Sequence, residues 1–224
     1  MIIYDWPTIL VATNDPFQID ARTRSGGETI NGREQAVGSG LGRWVARGLT
    51  VPLYSRETIL AMRSLRAKLD GRSNAVRVGP CDCRNGNRLI PTIGGIPYDD
   101  DAFHTDGAGF SQGGANPTIA EDHPAAAGDT QITINNGSTQ MPVLEGSYFG
   151  AGGYLYVVVG ATPLPGEQTL LDIRPKLRTV LAEGAVIDWC HGRVPMRLVA
   201  DDSGAFELQL SRTGTATLDL VEVW

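Results

Sequence analysis

Lysine is nearly missing from this sequence. Of its 19 basic residues only Lys68 and Lys176 are lysines, and the others are arginine. Arginine forms planar, multidentate hydrogen bonds and is favoured at protein interfaces, although a GC-rich coding bias gives the same excess. Cysteine is scarce and odd in number, with Cys81, Cys83 and Cys190. An odd count argues against a complete disulfide framework. Cys81 and Cys83 stand one residue too close for a zinc knuckle, and no second pair follows, so they read as a thiol-bearing strand end. Long apolar runs are also lacking. The run Thr8–Ala12 is too short for the core of a signal peptide, no basic segment precedes it, and no stretch approaches a membrane span. The expectation is a protein made in a cytoplasm, with no cleaved signal and no membrane insertion. Positive charge is in deficit: 25 acidic residues against 19 basic give a net charge of -6. An acidic surface repels phosphate backbones, which speaks against a nucleic-acid partner.

What is present in abundance is glycine, 28 residues, with 13 prolines, in a chain of 224 that is 42% hydrophobic. That length supports one large domain or two small ones. The glycines and prolines are scattered as punctuation, the composition of many short strands joined by tight turns. Met1–Val11 reads as an edge strand or arm, because Pro7 removes a backbone donor. Phe17–Asp20 alternates with period two. Ser25-Gly26-Gly27 reads as a turn, Glu28–Val37 as a weak strand, and a further strand begins at Gly42. One helix stands out over about 55–70. Ser55 is its N-cap, Ile59, Met62, Leu65, Arg66 and Leu69 form its stripe, and Gly71 its left-handed stop. Ala75–Val78 follows as a strand.

From Cys83 to about Pro124 no period is sustained. A structureless stretch of that length is uncommon inside a compact domain, so it reads as a functional excursion or an arm ordered by a neighbour. Beyond it, Thr130–Ile134, Tyr154–Val159, Thr169–Ile173, Val186–Trp189, Val194–Val199, Phe206–Leu210 and Thr215–Trp224 recur about every ten residues, the rhythm of a β-sandwich or β-barrel. The predicted fold is therefore mainly β, of sandwich or barrel type, with one amphipathic helix and a long irregular loop. The predicted organisation is an N-terminal β-rich region over 1–126, holding the helix and the 83–124 loop, and a C-terminal barrel or sandwich over 127–224.

Catalytic patterns are not found. Gly38–Arg43 lacks the spacing of a dinucleotide loop, and neither a phosphate-binding loop nor a nucleophile elbow occurs. Asp99-Asp100-Asp101 with His104 and Asp106 is the best metal candidate, but the alternate-residue ligands and closing Glu of a calcium loop are missing, and a solvated acidic turn fits better. Cys190-His191, as strand neighbours, would point to opposite faces, and His123 stands alone. Asn136-Gly137-Ser138 matches a glycosylation sequon but reads as a hairpin turn. No catalytic, cofactor-binding or metal site is predicted, and no cofactor.

Several stretches, taken in order, resemble a known family. Gly32-Arg33-Glu34-Gln35-Ala36-Val37 leads to Gly42-Arg43-Trp44, then Val51-Pro52-Leu53, then the helix ending Leu69-Asp70-Gly71-Arg72-Ser73-Asn74. Further on come Leu144-x-Gly146-x-x-Phe149, Leu155-Tyr156-Val157-Val158 and Ile173-x-Pro175-x-Leu177-Arg178. The close is Val194-Pro195-Met196-Arg197-Leu198 with strands ending Val221-Glu222-Val223-Trp224. This order is similar to small tail-tip structural proteins of siphovirus-like bacteriophages, of the distal tail type. The resemblance implies a baseplate ring subunit, usually one of six, that joins the tail tube to the hub and tip in the virion tail and is assembled in the host cytoplasm. Residues 83–124 match no pattern of that family. Within them Ile93, Ile96, Tyr98, Phe103 and Phe110 are the expected anchors of an assembly interface. The alternatives are a carbohydrate-binding β module that contacts the host surface, for which aromatics at 7% are sparse, and a cell-wall hydrolase, which would need a convergent acid, base or metal cluster.

Overall fold

A computed structural model of the chain describes residues 1–21, 23–28, 31–32, 34–38, 42–80, 117–136, 143–189, 191–206, 208 and 213–224. The protein is mainly β with one α-helix. In chain order the elements are β1 (Ile3–Asp5), β2 (Phe17–Asp20), β3 (Thr23–Glu28), β4 (Glu34–Gly38), β5 (Arg43–Leu53), α1 (Arg56–Leu69), β6 (Ala75–Val78), β7 (Thr118–Ile119), β8 (Gln131–Asn135), β9 (Tyr148–Ala151), β10 (Tyr154–Leu164), β11 (Gln168–Arg174), β12 (Val194–Leu198) and β13 (Gly214–Glu222). They form two compact units, Met1–Cys81 with Arg193–Trp224, and Asp82–Gly192.

The first unit is built on a six-stranded sheet in the order β1-β6-β12-β13-β5-β2. β13 shows why these residues form strands: Ala216, Leu218 and Leu220 are buried while Thr215, Thr217 and Asp219 face water. Its pairing with β5 slips between Leu218 and Leu220, which face Leu49 and Ala46. Gly48 takes φ +73 inside this bulge, and its N–H donates to Asp219 Oδ1 at 2.7 Å. Pro52 is tolerated in β5 because β2 pairs only with residues 43–46, so the missing donor breaks no ladder on that side.

α1 forms where the stripe places it. The Ser55 hydroxyl accepts from the Thr58 N–H, and the Thr58 hydroxyl accepts from the Ser55 N–H, a reciprocal cap. Thr58, Ile59, Met62, Leu65 and Leu69 are buried, and the helix packs against β5. Arg66, expected on the apolar stripe, is only half-buried. The left-handed C-cap is Asp70, φ +47, one residue before the expected Gly71, which follows at φ +61. Glycine suits 71 because φ +61 is a left-handed conformation that side chains rarely adopt.

The expected boundary between residues 126 and 127 is overturned by the strand pairing. β12 and β13 do not belong with the strands that precede them; they pair with β6 and β5 in the first sheet. Alternation in a strand reports which face is buried and is silent about which neighbour supplies the hydrogen bonds.

The second unit has a five-stranded antiparallel sheet in the order β7-β8-β11-β10-β9. β7 falls inside the stretch expected to be structureless; residues 83–116 of that stretch lie outside the described residues. Val186–Trp189, expected as a strand, is a bridge instead. On one side Ile119 N–H donates to Ala185 O and Ile187 N–H to Pro117 O, both at 2.9 Å. On the other, Gly150 and Asp188 exchange N–H···O bonds of 2.7 and 2.9 Å. The segment thus ties edge strand β7 to edge strand β9 and closes the sheet into a barrel. Its core centres on Phe149, Tyr156 and Trp189, with ring centroids 5.4 Å (Phe149–Tyr156) and 5.2 Å (Phe149–Trp189) apart. Tyr154–Val159, expected to be buried on both faces, is buried at Leu155, Tyr156 and Val158 and open at Val159.

Candidate functional site

Among the described residues the sheet of the first unit, unlike the barrel, is left open. β1 is one terminal strand and β2 the other. β1 runs parallel to β6, with Ile3 opposite Ala75 and Asp5 opposite Arg77. Ala75 N–H donates to Ile2 O and Trp6 N–H to Arg77 O. By the alternation of a parallel ladder Ile2, Tyr4 and Trp6 turn their backbone groups toward β6, and Ile3 and Asp5 turn theirs outward. Open edges are usually blunted by proline or charge. Pro16 and Asp20 do this at the two ends of β2. β1 has a similar pair, Asp5 at its end and Pro7 two residues beyond, but its approach is apolar: Met1, Ile2 and Ile3 are 70%, 57% and 39% exposed.

Two residues beyond β2 the chain enters the β3–β4 hairpin, a separate two-stranded sheet. Thr23 pairs with Gly38, Ser25 with Ala36 and Glu28 with Glu34. The expected turn at Ser25–Gly27 is a bulge within β3: the pairing slips between Ser25 and Glu28, and Gly27 sits at φ +89. Thr23, Arg24, Ser25, Glu34 and Ala36 are all exposed. A two-stranded ribbon is by itself marginally stable in water. Sequence reading divided this hairpin into a turn and a weak strand. The available sign was its poverty in large apolar residues: between Thr23 and Gly38 only Ile30 and Val37 qualify.

Two depressions flank α1. One, of about 550 Å³, is lined by Asp70, Gly71, Arg72, Ser73, Arg197 and Asp201. The Arg197 Nε is buried there without a hydrogen-bond partner. The other, of about 460 Å³, is lined by Arg63, Arg66, Phe206 and Leu208. Among the described residues neither lining contains a histidine or cysteine; the first mixes both signs of charge and the second is basic and apolar.

Of the residues weighed for chemistry in the sequence, His123 and His191 are described. His191, which lies outside any strand, faces Asp188, Nδ1 to Oδ1 at 3.7 Å, and both are well exposed. Exposed pairs of this sort contribute roughly 0–1 kcal/mol. His123 is exposed in the turn after β7. Cys81, Cys83, Cys190, His104 and the Asp99–Asp101 and Asp106 carboxylates lie outside the described residues, as do the expected interface anchors Ile93, Ile96, Tyr98, Phe103 and Phe110. Among the described residues no group of three or more His, Cys, Asp or Glu side chains is placed to hold a metal. No described helix is long and apolar enough to cross a membrane. No protein-family model matches the chain, and no curated protein matches its sequence.

Proposed function

We propose that this protein is a structural subunit of a bacteriophage tail, a ring-forming component of the distal tail type that links tail tube to hub and tip. The observation that carries the reading is the β3–β4 hairpin, a separate two-stranded sheet that follows terminal strand β2 in the chain and has its described side chains in water. Such a ribbon is worth keeping when a neighbouring subunit packs against it. The β1 edge at the other end of the sheet, which pairs outward with no described strand, points the same way, because unlike ends that bind each other form heterologous contacts, and these close into rings. The resemblance of the sequence to small tail-tip proteins supplies the particle and the ring size of six. A sugar-binding module would present its aromatic rings; the barrel keeps Phe149, Tyr156 and Trp189 in its core, which favours a scaffold. Negative-stain images of the concentrated protein test the proposal. Closed rings, and their incorporation at the end of tubes formed by the partner tail protein, are expected. A chain that remains monomeric up to its solubility limit overturns it.

A further inference from the structure

We infer that the acceptor for the hairpin is the outer edge of β1 in a second copy of this chain, so that successive copies are joined by strand addition. This rests on the ring-subunit reading and names its interface. Donor and acceptor each lack what the other supplies. The hairpin has outer edges that pair with nothing among the described residues, and its described side chains are exposed. The β1 edge directs the N–H and C=O groups of Ile3 and Asp5 away from β6 and has exposed Met1, Ile2 and Ile3 beside it. Strand addition satisfies such groups through main-chain hydrogen bonds.

The positions of the two parts make a second copy the occupant. The hairpin springs from β2, at one end of the six-stranded sheet, and β1 is the other end. A chain cannot bridge its own two sheet ends through an intervening sheet, but a row of copies can, each giving its hairpin to the next. The β2 edge is the poorer acceptor, because its apolar residues Phe17 and Ile19 are buried or half-buried where Met1, Ile2 and Ile3 are exposed.

The test uses two variants of the full chain. Ile3→Pro removes an outward N–H and leaves the inward ladder of Ile2, Tyr4 and Trp6 in place, so it destroys the acceptor and keeps the hairpin. Replacing residues 23–38 by a short Gly-rich link destroys the donor and keeps the acceptor. Ile3→Lys, a charge on the edge with the backbone unchanged, stands in if the proline variant fails to fold. Sedimentation is expected to show that wild type assembles, that each variant alone is a monomer with an unchanged melting temperature, and that an equal mixture stops at a 1:1 dimer. A hairpin-less chain that still self-associates, or a mixture that stays monomeric while wild type assembles, overturns the inference and leaves the ring reading standing. A monomeric wild type overturns both.

Discussion

Val78 and Val194 are register partners across β6 and β12, and the whole barrel is strung between them. The chain leaves the first sheet at one strand end and returns at the strand end directly opposite. A two-residue turn would join the same two ends, as in any antiparallel hairpin. Replacing residues 79–193 by Asn-Gly is therefore expected to leave the first unit able to fold. Circular dichroism with a single cooperative melting transition would bear this out, and a chain without a transition would contradict it.

A buried carboxylate holds the ladder together where β5 and β13 part. Glu222 is 4% exposed and its Oε2 accepts from the Trp44 N–H at 2.7 Å. Glu222→Ala removes that acceptor from a buried donor, at a cost of about 1–3 kcal/mol. Glu222→Gln keeps a carbonyl oxygen in reach and is expected to cost less. Urea unfolding of both variants gives the order, and equal losses would show that Trp44 is not the group that matters.

Closure of the barrel depends on backbone contact at Gly150. A Cβ at this position would stand 2.9 Å from the Gly192 Cα, which is main chain and cannot rotate away. Gly150→Ala is expected to push residues 188–192 off β9 and to destabilise the barrel by roughly 1–3 kcal/mol. Hydrogen exchange would show it as faster exchange at the Gly150 and Asp188 amides with no change at Val221 in the other sheet.

The N-terminus of α1 offers a local comparison. Ser55→Ala removes the acceptor of the Thr58 N–H bond and is expected to cost about 1 kcal/mol. Ser55→Asp, which retains an acceptor at a helix N-terminus, is expected to recover most of that loss. Thermal melts that place the two variants together would remove the cap from the account of this helix.

The helix and most strands were legible in the sequence because each is a local pattern. Ser55 followed by an apolar stripe at steps of three and four fixes α1 to within a residue, and alternation fixes β13. The expected assembly anchors from Ile93 to Phe110 lie outside the described residues, whereas the hairpin that emerged in their place had been divided into fragments. Its glycines at 26 and 27 are consistent with either a turn or a bulge, and only the pairing of Ser25 with Ala36 and Glu28 with Glu34 decides for the bulge.

By itself, then, the sequence determined that the chain is mainly β, where its one helix lies, and which faces of its strands are apolar. These follow from propensity and period, which act over a few residues. Tertiary structure alone decided that residues 193–224 return to β5 and β6, that residues 185–188 seal the barrel, and that β1 and the hairpin are left open. Each is a matter of which backbone pairs with which, between residues as far apart in the chain as Val45 and Val221. Every residue carries nearly the same donor and acceptor, so partner choice is written in the packing of the whole sheet and not in any short stretch of chain.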